Sequence, residues 1–168
     1  PALAPLLARF PGVRAPGHWS LQEAATRAVV GQQVSTAAAR GILSRMAAAA
    51  DAAPAFPDAA ALAALDDSHF PMPRRRRETL RALWSLCTAR GDALQVSDIA
   101  ALRGVGPWTT AMAAMRGAGD PDTLPAGDLG LRAAWARHGD GTAIGQRAAR
   151  WRPWGAYAAN LLWRSLDR

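Results

Sequence analysis

Asp128 sits in Leu124-Pro125-Ala126-Gly127-Asp128-Leu129-Gly130-Leu131-Arg132, a Pro- and Gly-rich approach that runs into helix-forming residues. Read alone it is a helix N-cap, because a short carboxylate satisfies the free N–H groups of a first turn. A lone carboxylate in such a place can equally stabilise a developing cation or activate water. About twenty residues earlier lies Ile99-Ala100-Ala101-Leu102-Arg103-Gly104-Val105-Gly106-Pro107-Trp108-Thr109, with glycines alternating in a turn between two helices. Glycines there permit positive φ and let another chain come close to bare backbone. The N–H groups that open the following helix form a ready site for phosphate. Other chemistries lack their residues. The one cysteine, Cys87, can make neither an internal disulfide nor a thiolate cage for zinc or an iron–sulfur cluster. It reads as a small buried hydrophobe of an intracellular protein. His18, His69 and His138 lack metal-ligand spacing, and all twenty basic residues are Arg, so no lysine can form a Schiff base.

The formal net charge of +7 and a pI near 11.4 favour a polyanionic partner, with nucleic acid ahead of an acidic membrane. An arginine-biased composition produces the same charge, so this figure alone leaves the partner open. Half of the 168 residues are apolar and Ala dominates the long stretches, which suits packed helices rather than a β-sandwich. No apolar run is long enough to cross a bilayer, and no signal-peptide pattern opens the chain. A cytoplasmic monomer is expected. The chain begins at Pro1 without Met, as a piece of a longer protein would.

The elements that must position these residues follow from caps and breakers. Pro1 to Trp19 reads as an irregular approach. Ser20-Leu21-Gln22-Glu23 has capping-box spacing for a helix over 21–30, and Ser35 caps another to Ala49. A loop over 53–57 leads to a short helix over 58–65. Arg74-Arg75-Arg76-Arg77 opens a helix to Ala89, in which Leu80, Leu83, Trp84 and Cys87 form one stripe. Four positive charges at the positive end of a helix dipole suit a solvated turn, or hint at an anionic partner. Gly91 ends that helix and Ser97 caps a helix over 98–102. Pro107 starts one to Met115, another begins near Asp128, Thr142 caps one ending near Trp151, and Pro153 opens the last, to Trp163. The reading is an all-α bundle of about nine or ten short helices.

The Gly-Val-Gly hairpin, the Gly/Pro loop and the single Asp, in that order, resemble the helix-hairpin-helix base-excision glycosylases. Val30-Gly31-Gln32-Gln33-Val34-Ser35, Arg103 to Thr109, and Trp151-Arg152-Pro153-Trp154 with Tyr157 narrow the resemblance to the DNA-3-methyladenine glycosylase II (AlkA-type) family. It covers about Pro11 to Trp163. The endonuclease III branch carries a four-cysteine iron–sulfur loop that is missing here. Strand-cleaving branches place a lysine where this chain has Trp108.

The resemblance implies one catalytic domain over 1–168, its hairpin over 98–116, with an active-site cleft between two helical lobes. The family's N-terminal β-rich domain has no counterpart, as in a fragment or a minimal variant. Asp128 matches the catalytic aspartate. Trp108 and Trp163 match aromatic walls of the base pocket, which Gln32, Met112 and Leu129 also line; the last two replace tyrosines. Gln33 matches the residue that fills the gap left by a flipped nucleotide. Gly104, Val105, Gly106 and Thr109 face phosphate through the backbone. The carbonyls of Ala100, Leu102 and Val105 match a structural Na⁺ or K⁺ site, and no cofactor is implied for catalysis. The implied partner is double-stranded DNA carrying alkylated purines of the 3-methyladenine and 7-methylguanine type. The implied reaction is monofunctional hydrolysis of the glycosidic bond after base flipping. A non-catalytic helix-hairpin-helix DNA-binding module, and a uracil- or mismatch-directed glycosylase on the same scaffold, remain as alternatives.

Overall fold

The structure, a computed structural model, describes residues 2–52 and 54–166. Ten α-helices and three short 3-10 turns make up its regular structure, with no strand among the described residues. The fold is all-α, as the composition implies. In chain order the helices are α1 (Ala4–Arg9), α2 (Leu21–Gly31), α3 (Thr36–Ala49), α4 (Ala59–Ala64), α5 (Arg74–Arg90), α6 (Val96–Ala100), α7 (Pro107–Gly117), α8 (Leu129–His138), α9 (Ile144–Ala148) and α10 (Gly155–Arg164).

Several starts follow the local chemistry. Ser20, Ser35 and Asp58 accept from the backbone N–H three residues on, at 3.1, 3.2 and 2.8 Å. Elsewhere local signals mislead. Ser97 lies inside α6, because Asp98 reaches back one turn to take the Gln95 N–H at 3.0 Å. Thr142 does not cap α9. Its hydroxyl donates to Asp140 at 2.6 Å and its carbonyl accepts from the Trp135 indole at 2.8 Å, so Ala143 stands at the N-cap. Pro153 lies before α10, which starts at Gly155, where a Cβ would sit 2.3 Å from the Asp122 carbonyl oxygen. The first nineteen residues are not wholly irregular: Pro5 suits a first helical turn, and α1 forms because Leu3 and Leu6 have a core to enter. Pro1 and Ala53, within two expected irregular stretches, lie outside the described residues.

Two cores divide the molecule. The first gathers α2 to α6 and one side of α7 around Trp84, Phe70, Met46, Leu80 and Leu83. Trp84 packs edge-on to Phe70 and donates its indole N–H to Thr26 at 3.1 Å. The second joins both ends of the sequence: Leu3 and Leu6 pack with Leu131, Trp135, Ile144, Leu161 and Leu162. Helix α7 belongs to both, with Ala113 in the first core and Met115 in the second. It lies so close to α2 that a Cβ on Gly117 would stand 2.8 Å from Leu21 Cα. Arg116 holds the seam. Its guanidinium donates to the Pro16 carbonyl at 2.7 Å and to Asn160 at 2.9 Å.

Candidate active site

Helix α8 begins at the seam between the lobes, and Asp128 is its N-cap. One carboxylate oxygen, Oδ1, accepts the Leu131 backbone N–H at 2.7 Å and the Trp163 indole N–H at 2.9 Å. The other, Oδ2, accepts the Trp108 indole N–H at 2.9 Å. Trp108 comes from the first turn of α7, beside the hairpin, and Trp163 from the last turn of α10. Three donors from three helices therefore fix where this negative charge lies, and charge-assisted bonds of this kind are the strong ones. Capping and a functional role are compatible: the cap orients the carboxylate, and Oδ2 keeps one lone pair beyond its single donor. Neighbouring Gly127 is exposed, with open space where a Cβ would point.

The two expected aromatic walls differ. One face of Trp163 is occupied by the Arg116 guanidinium, 5.6 Å from the ring centroid. Trp108 is half-buried, with its far edge close to Gly31, where a Cβ would stand 3.8 Å from the ring. Met112 follows one turn later on α7, on the same side as Trp108. Leu129 is 79% exposed and encloses nothing. The larger cavities lie elsewhere: one of about 690 Å³ beside Trp19 and Phe56, another of about 1230 Å³ beside Leu7, Trp154 and Tyr157. Asp128 lines neither.

The hairpin sits against this site. Gly104 has φ +89, and a Cβ there would meet the Thr79 hydroxyl at 2.2 Å, so glycine is required on both counts. Gly106 is extended, with φ −104, and does not need the positive φ that the alternating glycines suggested. Its distinction is the open space a Cβ would fill. Val105 half-buries its side chain on the first core, and its N–H donates to the Leu102 carbonyl at 3.1 Å. Thr109 is buried, so only its backbone N–H, in the first turn of α7, is placed to meet an anion. Thr79, for which the sequence carries no signal, donates its hydroxyl toward the carbonyls of both Arg75 and Arg103, at 3.0 Å each.

Gln32 does not offer its amide to a base pocket. Nε2 donates to the Gly104 carbonyl at 3.0 Å and to the Thr109 hydroxyl at 2.9 Å, tying the end of α2 to the hairpin. Gln33 follows in a left-handed conformation, φ 55, with an exposed side chain. For a residue with a Cβ that conformation costs about 1 kcal/mol or more, and such strain gathers at functional sites. Of the three carbonyls expected to hold a cation, that of Leu102 accepts the Val105 N–H at 3.1 Å. Among the described residues no group of three or more His, Cys, Asp or Glu could hold a metal ion, and no helix is long and apolar enough to cross a membrane.

No family model matches the chain. Sequence relatives do. A probable bifunctional transcriptional activator/DNA repair enzyme AlkA from Mycobacterium tuberculosis is 37% identical over 187 aligned positions, covering 99% of this chain and 38% of that protein. DNA-3-methyladenine glycosylase 2 of Escherichia coli is 31% identical over 180 positions, covering 96% of this chain and 64% of that protein. The chain thus spans well under half of the first relative and just under two thirds of the second. Among solved structures, the Schizosaccharomyces pombe 3-methyladenine DNA glycosylase in complex with abasic DNA matches with a TM-score of 0.78 at 20% identity, over 97% of this chain and 88% of that one. The Bacillus halodurans DNA-3-methyladenine glycosidase matches with a TM-score of 0.69 at 23% identity, over 98% and 88%. At those identities the structures show the fold, while the sequence relatives extend across nearly the whole chain. By sequence, nearly the whole of this chain aligns with members of the AlkA-type DNA-3-methyladenine glycosylase family, and the solved structures show the shared fold.

Proposed function

We propose that the protein is a monofunctional DNA glycosylase of base-excision repair, releasing alkylated purines of the 3-methyladenine and 7-methylguanine type from duplex DNA as a single helix-hairpin-helix domain. The observation that carries this reading is the Asp128 carboxylate, bonded to two indole N–H groups and adjoining the hairpin. Alkylation at N3 or N7 makes the purine cationic and its glycosidic bond weak. The flipped base, paid for by a few kcal/mol of unstacking, meets an indole face worth roughly 0.5 to 2 kcal/mol to a cation. The Trp108 face is the better seat, since Trp163 already carries Arg116. As the bond breaks, Asp128 stabilises the positive charge growing on the sugar and directs water to it. With no lysine in the chain, no amine-linked sugar intermediate forms through one, and the product is an intact abasic site.

Gly104, Gly106 and the first turn of α7 hold phosphates, and Gln33 fills the space the nucleotide leaves. The Ala100, Leu102 and Val105 carbonyls would hold a structural Na⁺ or K⁺ that stiffens the hairpin. The test is a release assay on alkylated duplex DNA with freed bases identified by chromatography. Free methylpurines and an uncut strand are expected. Uracil or mispaired bases released instead would move the enzyme to the mismatch-directed reading, and binding without release would leave only a DNA-binding module.

A further inference from the structure

The four consecutive arginines that open α5 do not share one fate. Arg74 pairs with Glu78 at 2.8 Å, and Arg77 pairs with Asp67 at 3.0 Å. Both are explained by the protein itself. For Arg75 and Arg76, no carboxylate lies within ion-pair distance among the described residues, and the same holds for Arg103 on the hairpin. Arg75 is exposed and Arg76 half-exposed. The first turn of α5 contains no acidic residue, and its N-cap, Pro73, makes no side-chain capping bond. Two unpaired cations there oppose the helix dipole, so they cost the free protein stability rather than adding to it.

Their position supplies the reason. The hydroxyl of Thr79, one turn along α5, reaches the carbonyls of Arg75 and Arg103, at 3.0 Å each. Gly104, the next residue, lies so close to Thr79 that no Cβ fits between them. The start of α5 is thus a direct neighbour of the hairpin loop, and Gln32 ties the other flank of that loop to the end of α2. The end of α2 and the start of α5 thus flank one loop, Arg103 to Gly106, and the nearest carboxylate along α5, Glu78, is taken by Arg74.

We propose that Arg75 and Arg76 form a phosphodiester-binding site continuous with the hairpin, extending the grip on the duplex backbone beyond the phosphates that Gly104 and Gly106 hold. The proposal rests on the reading of this protein as a duplex-DNA enzyme. Guanidinium groups here act on charge and position, not on base identity, so the site raises affinity for damaged and undamaged duplex alike. It leaves the chemistry at Asp128 untouched.

The test measures duplex affinity across a series of salt concentrations for the wild type, an Arg75→Ala/Arg76→Ala variant, and a control in which Arg137→Ala and Arg150→Ala remove the same two charges from the C-terminal lobe. Each phosphate neutralised contributes about 0.9 to the slope of log affinity against log salt. The Arg75→Ala/Arg76→Ala variant is expected to lose between about one and two from that slope, and the control much less. Single-turnover release of alkylated base at saturating enzyme should stay within about twofold of wild type, and thermal melting should be unchanged or higher, because an adverse charge–dipole contact has been removed. An unchanged slope, or one that falls equally in the control, overturns the site while leaving the glycosylase reading intact. A wild type without salt-sensitive duplex binding overturns that reading itself, and the proposal with it.

Discussion

The two lobes are built differently and do different work. The first is continuous in sequence, from α2 into α7, around a core with Trp84 at its centre. It carries the groups proposed to touch the DNA backbone and the gap in the duplex: Gln33, the hairpin and, by the further proposal, Arg75 and Arg76. The second is assembled from both ends of the sequence and contributes Asp128 and Trp163. Neither holds a complete site. The indole N–H of Trp108 crosses the seam to the carboxylate of Asp128, so grip is local and chemistry depends on how the lobes meet.

The largest effect that would test this division belongs to Asp128→Asn. Asn keeps the cap acceptor for Leu131 but presents an amide where one indole N–H now donates, and it loses the charge. Single-turnover release should fall by about 10²-fold or more, on the order of 3 kcal/mol, while affinity for undamaged duplex is unchanged or higher. A variant that keeps more than a tenth of the wild-type rate breaks the assignment of chemistry to the second lobe.

Two hairpin glycines sharpen the picture of the first lobe. Gly104→Ala meets Thr79 and a φ of +89, and should lower unfolding free energy by about 1 to 3 kcal/mol. Gly106→Val has room in the free protein and should melt like wild type, yet bind any duplex roughly tenfold more weakly, since its side chain projects into the space assigned to the DNA backbone. Chemical denaturation and duplex titration separate the two. Equal stability in both variants would mean that Thr79 does not set the hairpin's shape.

The smallest effect concerns Cys87. It is 6% exposed in the first core, and burial pushes its thiol up to about 11. Thiol reagents should leave the native protein unlabelled at pH 9, where a free cysteine reacts readily, and label it on denaturation. Rapid native labelling would show that the first lobe opens more easily than its packing allows.

Legibility in the sequence also divides between the lobes. Helices α2 to α5 announce themselves through Ser20, Ser35, Asp58 and the Leu80–Leu83–Trp84–Cys87 stripe, because their caps and faces are local. The second lobe is less legible: α1 depends on a core supplied from the far end of the sequence, and Thr142 is diverted by Asp140 and Trp135. In the site, Asp128, Trp108, Trp163 and the hairpin were legible as a motif. That both indoles bond to one carboxylate was not, since it depends on the register of α7 against α10. Gln32 shows the same limit: its motif was visible, while its amide's direction toward Gly104 is a tertiary fact.

The central claim is that the two lobes make one catalytic site through the Trp108–Asp128 bond. A double-mutant cycle on single-turnover release of a cationic methylpurine tests it, using Trp108→Phe, Asp128→Asn and the pair, with folding checked by melting. Phe keeps an aromatic face and loses the N–H. In the wild-type background Trp108→Phe should slow release about tenfold, on the order of 1.4 kcal/mol, and in the Asp128→Asn background by less than about twofold, because the bonded carboxylate is already gone. The same tenfold loss in both backgrounds would contradict the claim, leaving the tryptophan as a wall of the pocket and the carboxylate working without it.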